Sequence, residues 1–180
     1  MLRITIPGRE LYDESTNRIL ETKETVLTLE HSLVSISKWE SKYCIPFLTD
    51  TPMTDEQTLY YIKCMTLTQN VDDEVYKCLT NENVIEIENY IHAPMTATTV
   101  PKIPGNTNRE TITSELIYYW MIQLQIPVEF QKWHINRLLK LIEVCNFKNN
   151  PNKNKISNAE LAARNRRLNA ERKKRLHTTG

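Results

Sequence analysis

Residues 112–146 read "ITSELIYYWMIQLQIPVEFQKWHINRLLKLIEVCN", and their reading decides the fold class. Ile112, Leu116, Trp120 and Leu124 recur at every fourth position, joined by Ile117 and Met121. That spacing gathers them on one side of a helix. Pro127 then interrupts the chain, because proline lacks the N–H that a helix interior needs. Beyond it Ile135, Leu138, Ile142 and Cys145 step by three and four, with Leu139 beside them. Two apolar-faced helices joined at a proline predict an αα-hairpin over about residues 113–147. Each buried Leu or Ile stabilises by about 1.5–3 kcal/mol, so the pair can anchor a core before the entropy of ordering is subtracted.

Upstream, helical spacing prevails from residue 33. Leu33, Ile36, Trp39 and Tyr43 share a face, and Pro46 closes that helix. Thr54 with Gln57 forms a capping box ahead of Leu59, Ile62 and Met65. Asn70 is expected to cap a short helix carrying Val71, Val75 and Leu79. Val84, Ile87 and Ile91 form the next helix, which Pro94 closes. Thr96–Val100 and Arg109–Ile112 read as a weak hairpin.

The first thirty residues follow a different period. Leu2 to Ile6 alternates apolar and polar side chains, a strand pattern broken by Pro7-Gly8. A polar cluster at Asp13–Asn17 is flanked by Leu11-Tyr12 and Ile19-Leu20, and Val26–Leu29 is again β-prone. The expected fold is therefore α+β and mainly α-helical. It comprises a small N-terminal antiparallel hairpin or sheet, a helical body and a basic C-terminal helical extension. Three glycines in 180 residues agree with a body of regular elements and few tight turns.

Charge divides the chain. Residues 1–150 carry 14 basic and 20 acidic side chains; residues 151–180 carry 9 and 2, a net of −6 against +7. The asparagine-rich "NNPNKNKISN" at 149–158 marks the change. The expected organisation is a body at 1–148, a linker at 149–156 and a basic helical tail at 157–180. Ser157 and Glu160 form a capping box for the tail. Its large apolar residues, Leu161, Leu168 and Leu176, recur only once in two turns, too narrow a stripe to dock firmly unaided.

Catalytic signatures are scarce. The chain has neither a G-x-x-x-x-G-K nor a G-x-G-x-x-G phosphate loop, and no G-x-S-x-G elbow. Cys44, Cys64, Cys78 and Cys145 stand far apart and read as reduced, small apolar core residues rather than as metal ligands. Asp72-Asp73-Glu74 suits the positive end of a helix better than a cation, since neighbouring helical residues point apart. His134 reads as a structural histidine. Tyr118-Tyr119-Trp120 and Trp133 are an aromatic platform for bases or, more simply, core. No catalytic, cofactor or metal residue is assigned. The opening Met1–Pro7 is too short and polar for a signal peptide, and no run approaches the about 18 apolar residues of a membrane span.

The tail carries the clearest signal. Arg164, Arg167 and Arg175 fall close together on a helical projection with Leu161 and Leu168 adjacent, and Arg172 extends the set. These six residues are the candidate partner-binding positions. Nucleic acid and an acidic protein surface would both attract them, and a merely solvated helix remains the plain alternative.

Several longer runs carry a resemblance: "LRITIPGRELYDEST" (2–16), "LEHSLVSISKWESKY" (29–43), "CMTLTQNVD" (64–72), "PMTAT" (94–98), residues 115–146 quoted above, and "ARNRRLNAERKKRLHTTG" (163–180). Together they resemble the tail assembly chaperone family of long-tailed bacteriophages and prophages over nearly the whole chain. The resemblance implies a non-enzymatic protein of the host cell cytoplasm, absent from the mature virion. It would bind the tape measure protein and help recruit tail tube protein, without cofactor or membrane. It supplies no catalytic residue. A homo-oligomer stays open. So do a virion structural role, as a connector or minor tail protein, and nucleic-acid binding through the basic arm.

Overall fold

A computed structural model describes residues 1–13, 18–100, 110–149, 165–167 and 169. Contacts divide the chain into two compact units, Met1–Glu143 and Val144–Gly180. The first is α+β and mainly helical. It begins with strands β1 (Leu2–Ile6), β2 (Glu10–Asp13), β3 (Arg18–Glu21) and β4 (Thr25–Leu29). Helices α1 (Leu33–Tyr43), α2 (Asp55–Met65), α3 (Asp73–Lys77), α4 (Asn81–His92) and α5 (Ser114–Gln123) follow, with a 3-10 helix at Val128–Lys132; α6 (Ile135–Asn149) begins in this unit and ends in the second.

The four strands form one long hairpin in two segments. β1 pairs with β4 from Leu2↔Leu29 to Ile6↔Thr25, and β2 with β3 from Glu10↔Glu21 to Asp13↔Arg18. Between them the Thr22 N–H donates to the Arg9 carbonyl at 2.9 Å, so the register runs through without a slip. Pro7-Gly8 marks the break. A Cβ on Gly8 would lie 2.7 Å from the Thr22 carbonyl oxygen, so only glycine allows the strands this approach. The alternation expected of residues 2–6 holds: Ile4, Ile6, Leu27 and Leu29 are buried while Arg3, Thr5 and Val26 face out. On its other edge β4 meets the end of α2, where Leu67 N–H donates to Thr28 O at 2.8 Å.

Local signals place the helices. Thr54 and Gln57 complete the capping box of α2, and Thr80 with Asn83 makes another for α4. Asp72, rather than Asn70, caps α3; Asn70 instead has a positive φ of 56°. The acidic triplet thus sits at a helix start, as its sequence suggested, and Asp73 also pairs with Lys63 at 2.7 Å. The helix α1 stops at Cys44, whose left-handed conformation lets its N–H reach Glu40 O, ahead of Pro46.

α5 ends in a Schellman motif. Gln125 is left-handed (φ 54°), its N–H reaches Ile122 O, and Ile126 N–H reaches Met121 O at 2.8 Å. The buried positions of α5 are Ser114, Ile117 and Met121, so the four-step series at 112, 116, 120 and 124 is only half-buried. Ile135, Leu138 and Ile142 of α6 are buried as their spacing required. Of the cysteines, Cys64 and Cys78 are buried, Cys145 is intermediate and Cys44 is exposed, so the core reading holds for two. Thr96–Val100 forms no strand, and Arg109 lies outside the described residues. The linker expected at 149–156 also lies outside them, apart from Asn149, which ends α6.

Candidate functional site

The first place to seek chemistry is the buried polar cluster where β4 turns into α1. His31 hydrogen-bonds through Nδ1 to the Tyr61 hydroxyl, and its ring meets that of His134 edge-on at 4.9 Å. His134 donates from Nε2 to the Tyr90 carbonyl at 3.0 Å and accepts the Asn136 N–H at Nδ1. That pattern is the neutral imidazole. Burial lowers the His31 pKa to about 3, helped by the fields of His134 and His92. Burial likewise lowers His134, against the bond to Tyr90 O and the field of Glu30. Tyr90 donates to Glu30 Oε1 at 2.6 Å; burial and then that bond raise its pKa. Burial also raises Tyr61 well above the ordinary phenol.

The cluster holds elements together. Ile135 N–H donates to His31 O at 2.8 Å, and Ser35 Oγ donates to Glu30 O at 2.8 Å. Its histidines already have partners and are held neutral, the arrangement of a satisfied interior network rather than of a poised acid or base. Sequence placed His134 correctly as structural. It missed His31, because nothing local marks a histidine whose partners lie far along the chain.

A second buried carboxylate acts similarly. Glu40 accepts the Phe47 N–H on Oε1 and the Ser114 N–H on Oε2, both at 2.8 Å, tying the loop after α1 to the start of α5. Beside it a cavity of about 180 Å³ is lined by Trp39, Ile45, Pro46, Phe47, Pro52 and Met53, among others. It falls below the roughly 300–1,000 Å³ of ordinary small-ligand sites and suits one apolar side chain. Among the described residues, no three His, Cys, Asp or Glu side chains are grouped to hold a metal ion.

The surface offers more. Seven of the ten residues of α5, "SELIYYWMIQ", are apolar. The exposed side of this helix is mixed, with Glu115 and Gln123 beside its apolar residues. Here Ile117 and Met121 turn inward, while Tyr119 is 54% exposed and Ile122 is 73% exposed. Val128, just past the Schellman turn, is 57% exposed. The other aromatics are engaged. Phe130 stacks on Trp133 at 4.0 Å, and the Arg137 guanidinium lies over the same ring at 4.0 Å. Two groups so close must take both faces, so Trp133 offers no platform for a base. Tyr118 donates to Gln131 Oε1 at 2.9 Å.

Of the six tail candidates, Arg167 is helical and exposed, within the helical residues 165–167 and 169. Leu161, Arg164, Leu168, Arg172 and Arg175 lie outside the described residues. No helix among the described residues is long and apolar enough to cross a membrane. No family model, no curated protein and no solved structure matches the chain.

Proposed function

We propose that this protein is a non-enzymatic tail assembly chaperone. It binds the tape measure protein of a long-tailed bacteriophage in the host cytoplasm, helps recruit tail tube subunits and leaves before the virion matures. The observation that carries the reading is the uncovered side of α5. Tyr119 and Ile122 stand exposed, beside Glu115 and Gln123, on a helix seven of whose ten residues are apolar, as expected of an amphipathic surface that meets another helix. The basic tail supports it by adding long-range attraction and salt-sensitive rates of encounter. The client is the one that the sequence resemblance over nearly the whole chain implies.

Co-expression with a tagged tape measure protein tests the reading. Wild-type chain should be captured, the Tyr119→Lys/Ile122→Lys variant should be lost, and deletion of 151–180 should weaken capture and reduce its salt dependence. Absence of capture by the wild-type chain would reject the proposal. Mass spectrometry of purified particles separates a chaperone, absent from them, from a connector or minor tail protein. A second reading, nucleic-acid binding, draws on the exposed Arg166 and Arg167 of the tail. It requires a gel shift that fades steeply as salt rises.

A further inference from the structure

The outer side of α4 is acidic around one exposed apolar residue. Its inner side buries Asn83, Ile87 and Tyr90. Outward it presents Glu82, Ile85, Glu86, Glu88 and Asn89, and Ile85 is 56% exposed. At 100° per residue Ile85 and Asn89 occupy the middle of this face, with Glu82 and Glu86 on one flank and Glu88 on the other. The helix contains no Lys or Arg, and no ion pair among the described residues neutralises these three carboxylates.

The C-terminal sequence is the complement. Leu161, Arg164, Leu168, Arg172 and Arg175 step by three and four, a spacing that on a helical projection sets two leucines between arginines. Residues 165–167 and 169 are helical and exposed. The tail's net of +7 is opposite in sign to the body's −6. We propose that the outer face of α4 docks the basic C-terminal segment of a second copy of this chain, Ile85 packing against its leucines and Glu82, Glu86 and Glu88 facing its arginines. Donor and acceptor are different surfaces, so the contact is heterologous. Each copy can give a tail and receive one, and the association continues past the dimer unless it closes into a ring. Exposed ion pairs are individually weak and screened, so the contact is reversible and salt-sensitive.

Sedimentation velocity on the purified full chain tests this without any client protein, so its outcome is independent of the capture experiment. The wild type should show mass rising with concentration at low ionic strength and falling back toward the monomer at high ionic strength. Glu82→Lys/Glu86→Lys should weaken association at least about tenfold, as expected for reversing charges across an interface. Adding Arg164→Glu/Arg172→Glu to the same chain should restore it. Circular dichroism checks that the body stays folded; should the α4 variant unfold, Arg164→Glu/Arg172→Glu alone must still abolish association. A wild type that stays monomeric at every concentration overturns the proposal. So does association that survives the charge reversals, or that vanishes on nuclease treatment, which would reveal bridging by nucleic acid.

Discussion

The rings of His31 and His134 meet edge-on at 4.9 Å, both buried, one from the corner after β4 and the other from the start of α6. Burial holds both below the ordinary histidine pKa, with His31 at about 3. In the unfolded chain each titrates near about 6.5. Between those values the unfolded state binds protons that the folded state refuses, so stability is full above about 6.5 and declines as pH falls. His31 alone sets a slope of at most about 1.4 kcal/mol per pH unit, lessened by any residual hydration. Thermal unfolding followed from pH 7 to pH 4 should show a falling midpoint, and His31→Gln should flatten the fall. A flat wild-type profile would sink the account.

Glu40 makes the second prediction. Its two oxygens serve the Phe47 and Ser114 N–H groups from within the interior. Glu40→Ala orphans both, and each stranded N–H costs about 1–3 kcal/mol. Urea unfolding should show that loss in ΔG with an unchanged m-value. A difference under about 0.5 kcal/mol would mean that water replaces the carboxylate.

At Gly8 the added methyl group of alanine would enter the space of the Thr22 carbonyl and the Glu24 nitrogen, both backbone and unable to step aside cheaply. Gly8→Ala should destabilise by about 1–3 kcal/mol, the usual cost of overpacking. Equal melting of variant and wild type would contradict the close approach.

Gln125 predicts the opposite sign. A side chain in the left-handed region costs roughly 1–2 kcal/mol that glycine avoids. Offset by glycine's greater freedom when unfolded, Gln125→Gly should gain up to about 1 kcal/mol. A lower melting temperature would show that the Gln125 side chain matters more than its φ.

On the surface, Tyr119→Lys and Ile122→Lys should each shift stability by less than about 0.5 kcal/mol, since neither side chain is enclosed. Calorimetry on the purified variants checks this, and it decides whether lost client capture reports binding or unfolding.

The sequence by itself determined the local architecture. The alternation of Leu2–Ile6, the capping box at Thr54 and the 135/138/142 stripe all arise from spacings shorter than two helical turns, whereas the α3 cap fell to Asp72 and not to the Asn70 that the sequence suggested. Periodicity reads such spacings directly. It also showed the charge break that sets the tail apart, though five of the six tail candidates lie outside the described residues. It could not choose which side of the largely apolar α5 turns inward, because that choice belongs to α1, against which the helix packs. Nor could it foresee the interior polar groups. Glu30 meets Tyr90 across 60 residues and Glu40 meets Ser114 across 74. A charged or polar side chain is enclosed only where a distant partner satisfies it, and only the tertiary structure brings that partner near.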